Sequence, residues 1–189
     1  MTGKYLRAAY RNDNNIWGTV LILNEKFNKL IMSYSDTRYK LPSEKGGKIA
    51  VLDASTGNKI WQSSTRQNLP EGYSSSSRSR PVVNDSIIFL EPETFNLFTG
   101  KIIDNNFERS YGCGIISGSK NMLFFRSATV GYYWLDNIDK GIQNYGGIRP
   151  GCWINLIPAG GLALMPDATA RCDCSYLIKA WIALKPADN

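Results

Sequence analysis

An all-β chain is what this sequence predicts, on three observations. Short runs rich in β-branched and aromatic residues recur from end to end, with turn formers between them. No window of about eleven residues or more carries an apolar stripe of helical period. A patterned segment also comes back at a nearly constant interval, which is how a chain built from stacked sheets announces itself.

The runs follow in order. Residues 19–23 (TVLIL) are closed by Asn24-Glu25-Lys26, and residues 29–32 (KLIM) come next. Residues 48–52 (KIAVL) are entered through Gly46-Gly47 and left through Ser55-Thr56-Gly57-Asn58. Val83-Asn84-Asp85 leads into residues 86–90 (SIIFL), and Ser117-Gly118-Ser119 leads into residues 122–125 (MLFF). Residues 130–135, 153–157 and 176–184 complete the set, with Gly146-Gly147 as punctuation. Residues 71–81 (EGYSSSSRSRP) are the one low-complexity segment. Strand signals resume directly after Pro81, so this segment reads as a surface loop, with a linker or recognition loop as the alternative.

The repeat carries the architecture. Residues 48–61 read KIAVLDASTGNKIW: apolar residues, an Asp, a Thr-Gly turn, then a short apolar step ending in Trp. Residues 94–103 (TFNLFTGKII) repeat the Thr-Gly step, and Gly100 stands 43 positions after Gly57. A fainter copy at residues 132–142 (YYWLDNIDKGI) places Gly141 another 41 positions on. A period of about 40–45 residues with four short strands each is the signature of β-propeller blades. A single four-stranded sheet cannot bury both of its faces, so blades must stack. The expected blades are residues 14–62, 79–103, 111–145 and 152–184, together one partial propeller domain.

Composition excludes several classes. The chain has 189 residues, 43% hydrophobic and 12% aromatic, which suits one folded domain and not a disordered one. Its most apolar stretch, residues 152–166, is too short for a membrane span and is broken by Asn155, Pro158 and a Gly-Gly pair. Histidine is absent, which removes Ser-His-Asp and Cys-His catalysis and the His-based zinc and iron sites. Gly112-Cys113-Gly114, followed by Gly118, matches neither a dinucleotide fingerprint nor a P-loop and reads as an ordinary hairpin turn. The net charge of +6 comes from Lys and Arg scattered along the chain, a solvated basic surface and not a nucleic-acid face. Such a surface also suits an anionic glycan or an anionic membrane surface as a partner.

Cys113, Cys152, Cys172 and Cys174 make an even count in the C-terminal half. Two disulfides and an oxidising compartment fit that count, with four-thiolate zinc and free thiols as the competing readings. A Cys172–Cys174 bridge would close a very small ring, so Cys113 and Cys152 are expected to pair separately with those two. Residues 1–20 carry no apolar signal-peptide core; with a secretory context, the chain reads as a piece of a longer precursor.

The string Ala50-Val51-Leu52-Asp53-Ala54-Ser55-Thr56-Gly57-Asn58-Lys59-Ile60-Trp61 resembles the PQQ-like, quinoprotein-type repeat, A-L-D-x-x-T-G-x-x-x-W. The resemblance implies that Trp61 docks on a neighbouring blade and that Asp53, Thr56 and Gly57 shape the turn between strands. It gives Thr99 and Gly100 the same turn role, while Ile103 stands near the position of the Trp, so that dock is lost or weakened. The C-terminal pattern resembles the end of large secreted PQQ-like propellers of planctomycete-like bacteria. It comprises Gly112-Cys113-Gly114, residues 123–127, residues 147–152, Pro158-Ala159-Gly160-Gly161-Leu162 and residues 172–176. Quinoprotein dehydrogenases hold PQQ with an adjacent-cysteine disulfide, a stacking Trp and a calcium ion. This chain has no adjacent Cys pair and no placed calcium ligands, so no cofactor is expected.

Three functions are expected, the first two from the resemblance and the third from the arginines themselves. The first is a non-catalytic periplasmic or secreted interaction and scaffold module, partnered by another protein or by the remaining blades of a seven- or eight-bladed ring. The second is part of a quinoprotein-like oxidoreductase, with PQQ and calcium and with its catalytic residues in another chain or half. The third is an anionic-glycan binder using Arg126 and Arg149, which stand beside strand ends near the cysteines; salt bridges to Asp136 or Asp173 are their alternative role. No catalytic residue and no metal ligand is assigned.

Overall fold

Alternation at period two builds the first sheet from β1 (Val20–Asn24), β2 (Lys29–Tyr34), β3 (Gly47–Asp53) and β4 (Lys59–Thr65), an antiparallel meander in chain order. In register, Ile22 faces Ile31, which faces Val51, and these side chains with Ile49 form one apolar face. Leu30, Met32, Ala50 and Leu52 occupy the other face and, with Ala54, form a second buried cluster. β3 is therefore buried on both sides, which is why its sequence is a near-continuous apolar run and not an alternating one. Each such Val, Leu or Ile contributes about 1.5–3 kcal/mol on burial.

The computed structural model describes residues 20–34, 47–65, 80–104, 107–152, 154–167, 175–176 and 178–186. Most of the serine-rich segment, together with Cys172, Cys174 and the start of the chain, lies outside the described residues.

A second meander runs through β5 (Val82–Asn84), β6 (Ile87–Leu90), β7 (Glu93–Asn96) and β8 (Ile102–Asp104). Ile88, Leu90, Phe95 and Leu97 pack on the Ile31, Ile49, Val51 face of the first sheet. The third comprises β9 (Ser117–Gly118), β10 (Met122–Ser127), β11 (Thr129–Trp134) and β12 (Gln143–Tyr145), again in sequential order. Ala128, at φ 60°, makes the tight turn between β10 and β11. β13 (Ile157–Ala159), β14 (Leu162–Met165) and β15 (Ile182–Leu184) form the fourth sheet, with three strands among the described residues instead of four. Val130 of β11 meets Leu156, Ala163 and Met165 beneath it.

Four antiparallel sheets with nearest-neighbour connections make an all-β fold in the blade pattern. The chain divides into two compact units, Met1–Ser75 with Val83–Asn105 and Ser76–Val82 with Asn106–Asn189; the first holds β1–β4 and β6–β8, the second β9–β15, and one boundary falls within β5. Among the described residues no helix is long and apolar enough to cross a membrane.

Candidate functional site

In the first unit the chemistry-bearing residues gather at one turn and one dock. Between β3 and β4 the Asp53 carboxylate accepts from the backbone N–H groups of Ser55 (3.1 Å) and Thr56 (2.9 Å) and from the Thr56 hydroxyl (3.1 Å). A side chain bonding its own backbone two and three residues on is an Asx turn. The Thr56 N–H, then its hydroxyl, hold the Asp53 carboxyl below its ordinary value. Gly57, at φ 74°, closes the turn by donating to Asp53 O at 2.8 Å.

The same turn recurs between β7 and β8. Asn96 Oδ1 accepts from Phe98 N at 2.9 Å and Thr99 N at 3.0 Å, and Gly100, at φ 70°, donates to Asn96 O at 2.9 Å. Asn96 thus occupies the place of Asp53, a match the Thr-Gly step alone did not reveal. Trp61 joins the two copies. Its indole N–H donates to Leu97 O at 2.7 Å, its ring stacks on Phe95 with centroids 6.2 Å apart, and Gly100 lies against the ring. Trp61 is half-buried. The faint third copy takes another shape: residues Ile138–Lys140 form a 3-10 turn, and a Cβ on Gly141 would meet nothing within 4 Å.

In the second unit three arginines are buried: Arg109, Arg126 and Arg149, the last two at 1% and 0% exposure. Arg126 leaves β10 with its guanidinium over the Tyr111 ring at 5.2 Å. Arg126 Nη1 and Arg149 Nη1 both donate to Cys152 Sγ, at 3.6 and 3.7 Å. Arg109 Nη1 donates to Gly114 O at 3.2 Å. Asn155, wholly buried, accepts from Arg126 N at 3.0 Å and donates to Gly151 O at 2.7 Å and Cys113 O at 3.1 Å. That one amide ties β10, the 109–116 segment and the Gly151 turn together. Gly112-Cys113-Gly114 is consequently not a hairpin turn but irregular chain moulded around Asn155, and a Cβ on Gly114 would stand 2.4 Å from Asn155 Nδ2.

Arg126 and Arg149 are thus brought together, but on a sulfur and not at a surface. A guanidinium with almost no exposed area presents nothing to an extended glycan, and Asp136, an alternative partner, is exposed. Asp173 lies outside the described residues. Among the described residues there is no disulfide, the expected partners Cys172 and Cys174 falling outside them, and no cluster of three or more acidic or cysteine ligands that could hold a metal ion. Arg109 and Asn155 carried no sequence signal for this cluster, since Arg and Asn are ordinarily surface residues.

No protein-family model matches the chain, and no curated protein matches it. Among solved structures it is similar to the computationally designed Ika4 protein, with a TM-score of 0.56 and 13% identity over 88% of this chain and 89% of that one. It is also similar to the computationally designed Ika8 protein (TM-score 0.45, 12% identity, 77% of this chain and 41% of that one). BamB from Moraxella catarrhalis gives a TM-score of 0.44 at 13% identity, covering 82% of this chain and 57% of that one. At these identities the likeness to Ika4 is one of fold.

Proposed function

We propose that the chain is a non-catalytic, extracytoplasmic interaction module built from PQQ-like blades, and that the outer faces of its terminal sheets receive a protein partner. The observation that carries this is the outer face of the fourth sheet. Ile157, Leu164 and Ala183 stand in register across β13, β14 and β15, with Ala159 opposite Leu162 on the same face. Ile157, Leu162 and Ala183 are exposed, and Trp181 beside them is 75% exposed. In the first sheet Leu21 and Leu23 of the edge strand β1 are exposed, whereas Leu30, Met32, Ala50 and Leu52 on the same face are buried. Contiguous apolar surface of this kind marks an interaction site. The lack of histidine supports the non-catalytic part, and the four cysteines support an oxidising compartment.

Light scattering with circular dichroism tests the proposal. The chain is expected to associate beyond its 21.1 kDa mass, and L162K/W181S to weaken that association while keeping the β signal. A well-behaved 21.1 kDa monomer with a cooperative unfolding transition overturns it.

A further inference from the structure

Arg149 is wholly buried, yet among the described residues its Nε and Nη2 have no hydrogen-bond partner, and Nη1 donates to Cys152 Sγ at 3.7 Å. Leaving a buried guanidinium half-satisfied is costly, because its lost hydration has not been replaced. The two orphaned groups are not scattered. Nε–H and Nη2–H lie on one edge of the planar guanidinium and point the same way, as the fork that receives two oxygens of a carboxylate or phosphate. The other edge is fixed by Cys152, whose sulfur also takes a bond from Arg126 Nη1 at 3.6 Å. Arg126 therefore brings a second positive charge to the same sulfur. No salt bridge joins Arg149 to a carboxylate among the described residues.

We infer that Arg149, with Arg126 and Cys152 beside it, forms a binding site for one small oxyanion, seated on the Nε/Nη2 edge of Arg149. Both guanidiniums are closed to solvent, and the neighbouring Cys152 is only partly buried. That geometry selects by size. A single carboxylate or inorganic oxyanion can reach the fork, and a polyanionic chain cannot. The site is separate from the apolar sheet faces and stands whether or not those faces dock a partner.

The test uses the full chain with acetate, inorganic phosphate or sulfate, titrated against chloride at constant ionic strength. Two readouts are followed: the thermal midpoint and the rate of iodoacetamide alkylation at Cys152, resolved by peptide mass spectrometry. A saturable rise in midpoint is expected with at least one oxyanion and not with chloride, along with slower Cys152 alkylation at the same half-saturation. Arg149→Met, which keeps length and loses the fork, should abolish both responses. Arg149→Lys, which keeps charge and loses the fork, should weaken binding about tenfold or more. If Arg149→Met does not fold, Arg149→Lys and the wild-type alkylation series decide. Responses that match chloride, that fail to saturate, or that persist in Arg149→Lys at wild-type strength overturn the inference.

Discussion

Gly100 lies directly under the indole of Trp61: a Cβ built on Gly100 would stand 2.7 Å from the ring carbons Cδ2 and Cε3. The turn glycine of one repeat is thus also the seat for the tryptophan of the repeat before it. Glycine at position 100 therefore has a steric cause, because a larger residue at the turn would push the ring off Leu97 and Phe95.

Gly100→Ala therefore combines a positive-φ penalty with a clash and should cost about 1–3 kcal/mol. Trp61→Ala should cost about 3 kcal/mol, the low end for such truncations, because the ring is only half-buried. Urea denaturation measures both. The double variant should lose less than the two single losses combined, since the clash needs the ring. Strict additivity would contradict the contact.

Asp53 makes the pH dependence of the first unit predictable in sign. Its folded carboxyl titrates below the ordinary value, so on acidification the unfolded chain takes up its proton first. The stability it contributes is present above the ordinary value of 3.8 and is lost as pH falls through the lowered one. Asp53→Asn should keep the turn, because Asn96 makes the same turn between β7 and β8. It should also flatten the acid limb. Denaturation midpoints near neutral pH and near pH 3 check this; an unchanged acid limb in Asp53→Asn would show that other carboxylates set it.

The first unit was more legible than the second for a physical reason. Its signals are local: β3 is apolar on both faces, and the turn lies within the few residues from Asp53 to Gly57. A repeat defined by Thr-Gly does not mark Asn96, although an Asn side-chain oxygen accepts the same two N–H groups as Asp. The Asn155 cluster could not be read locally. Its bonds reach 29 positions to Arg126 and 42 to Cys113, and nothing in a charged or amide residue's identity announces burial. β14 was hidden inside the long apolar stretch after Cys152, where it is bounded by the turn at Gly160-Gly161 and by Pro166.

Across β10 and β11, Phe125 stands opposite Gly131, and a Cβ on Gly131 would come within 2.5 Å of the Phe125 ring. The ring lies over the bare backbone and meets Phe107 edge-on at 5.7 Å. Gly131→Ala should destabilise by about 1–3 kcal/mol through overpacking. Phe125→Leu in that background should recover part of the loss. Thermal unfolding of the single and double variants decides, and no recovery would mean that the backbone and not the ring rejects the methyl group.

Asn155 gives the sharpest test of what holds the second unit together. Asn155→Ala leaves the Arg126 N–H, Gly151 O and Cys113 O without their shared partner in a buried site, at about 1–3 kcal/mol for each group that water cannot reach. The total loss should therefore be about 3 kcal/mol or more. Asn155→Asp keeps the acceptor for Arg126 N–H but turns the donor group towards two carbonyl oxygens into a second acceptor. It should be at least as damaging near neutral pH and should recover on acidification, when a protonated carboxyl can donate again. Asn155→Ala offers no such recovery. Hydrogen exchange at the Arg126 amide together with denaturation at two pH values separates the cases. If Asn155→Asp were as stable as wild type near pH 7, the amide would not be the donor that binds these three segments.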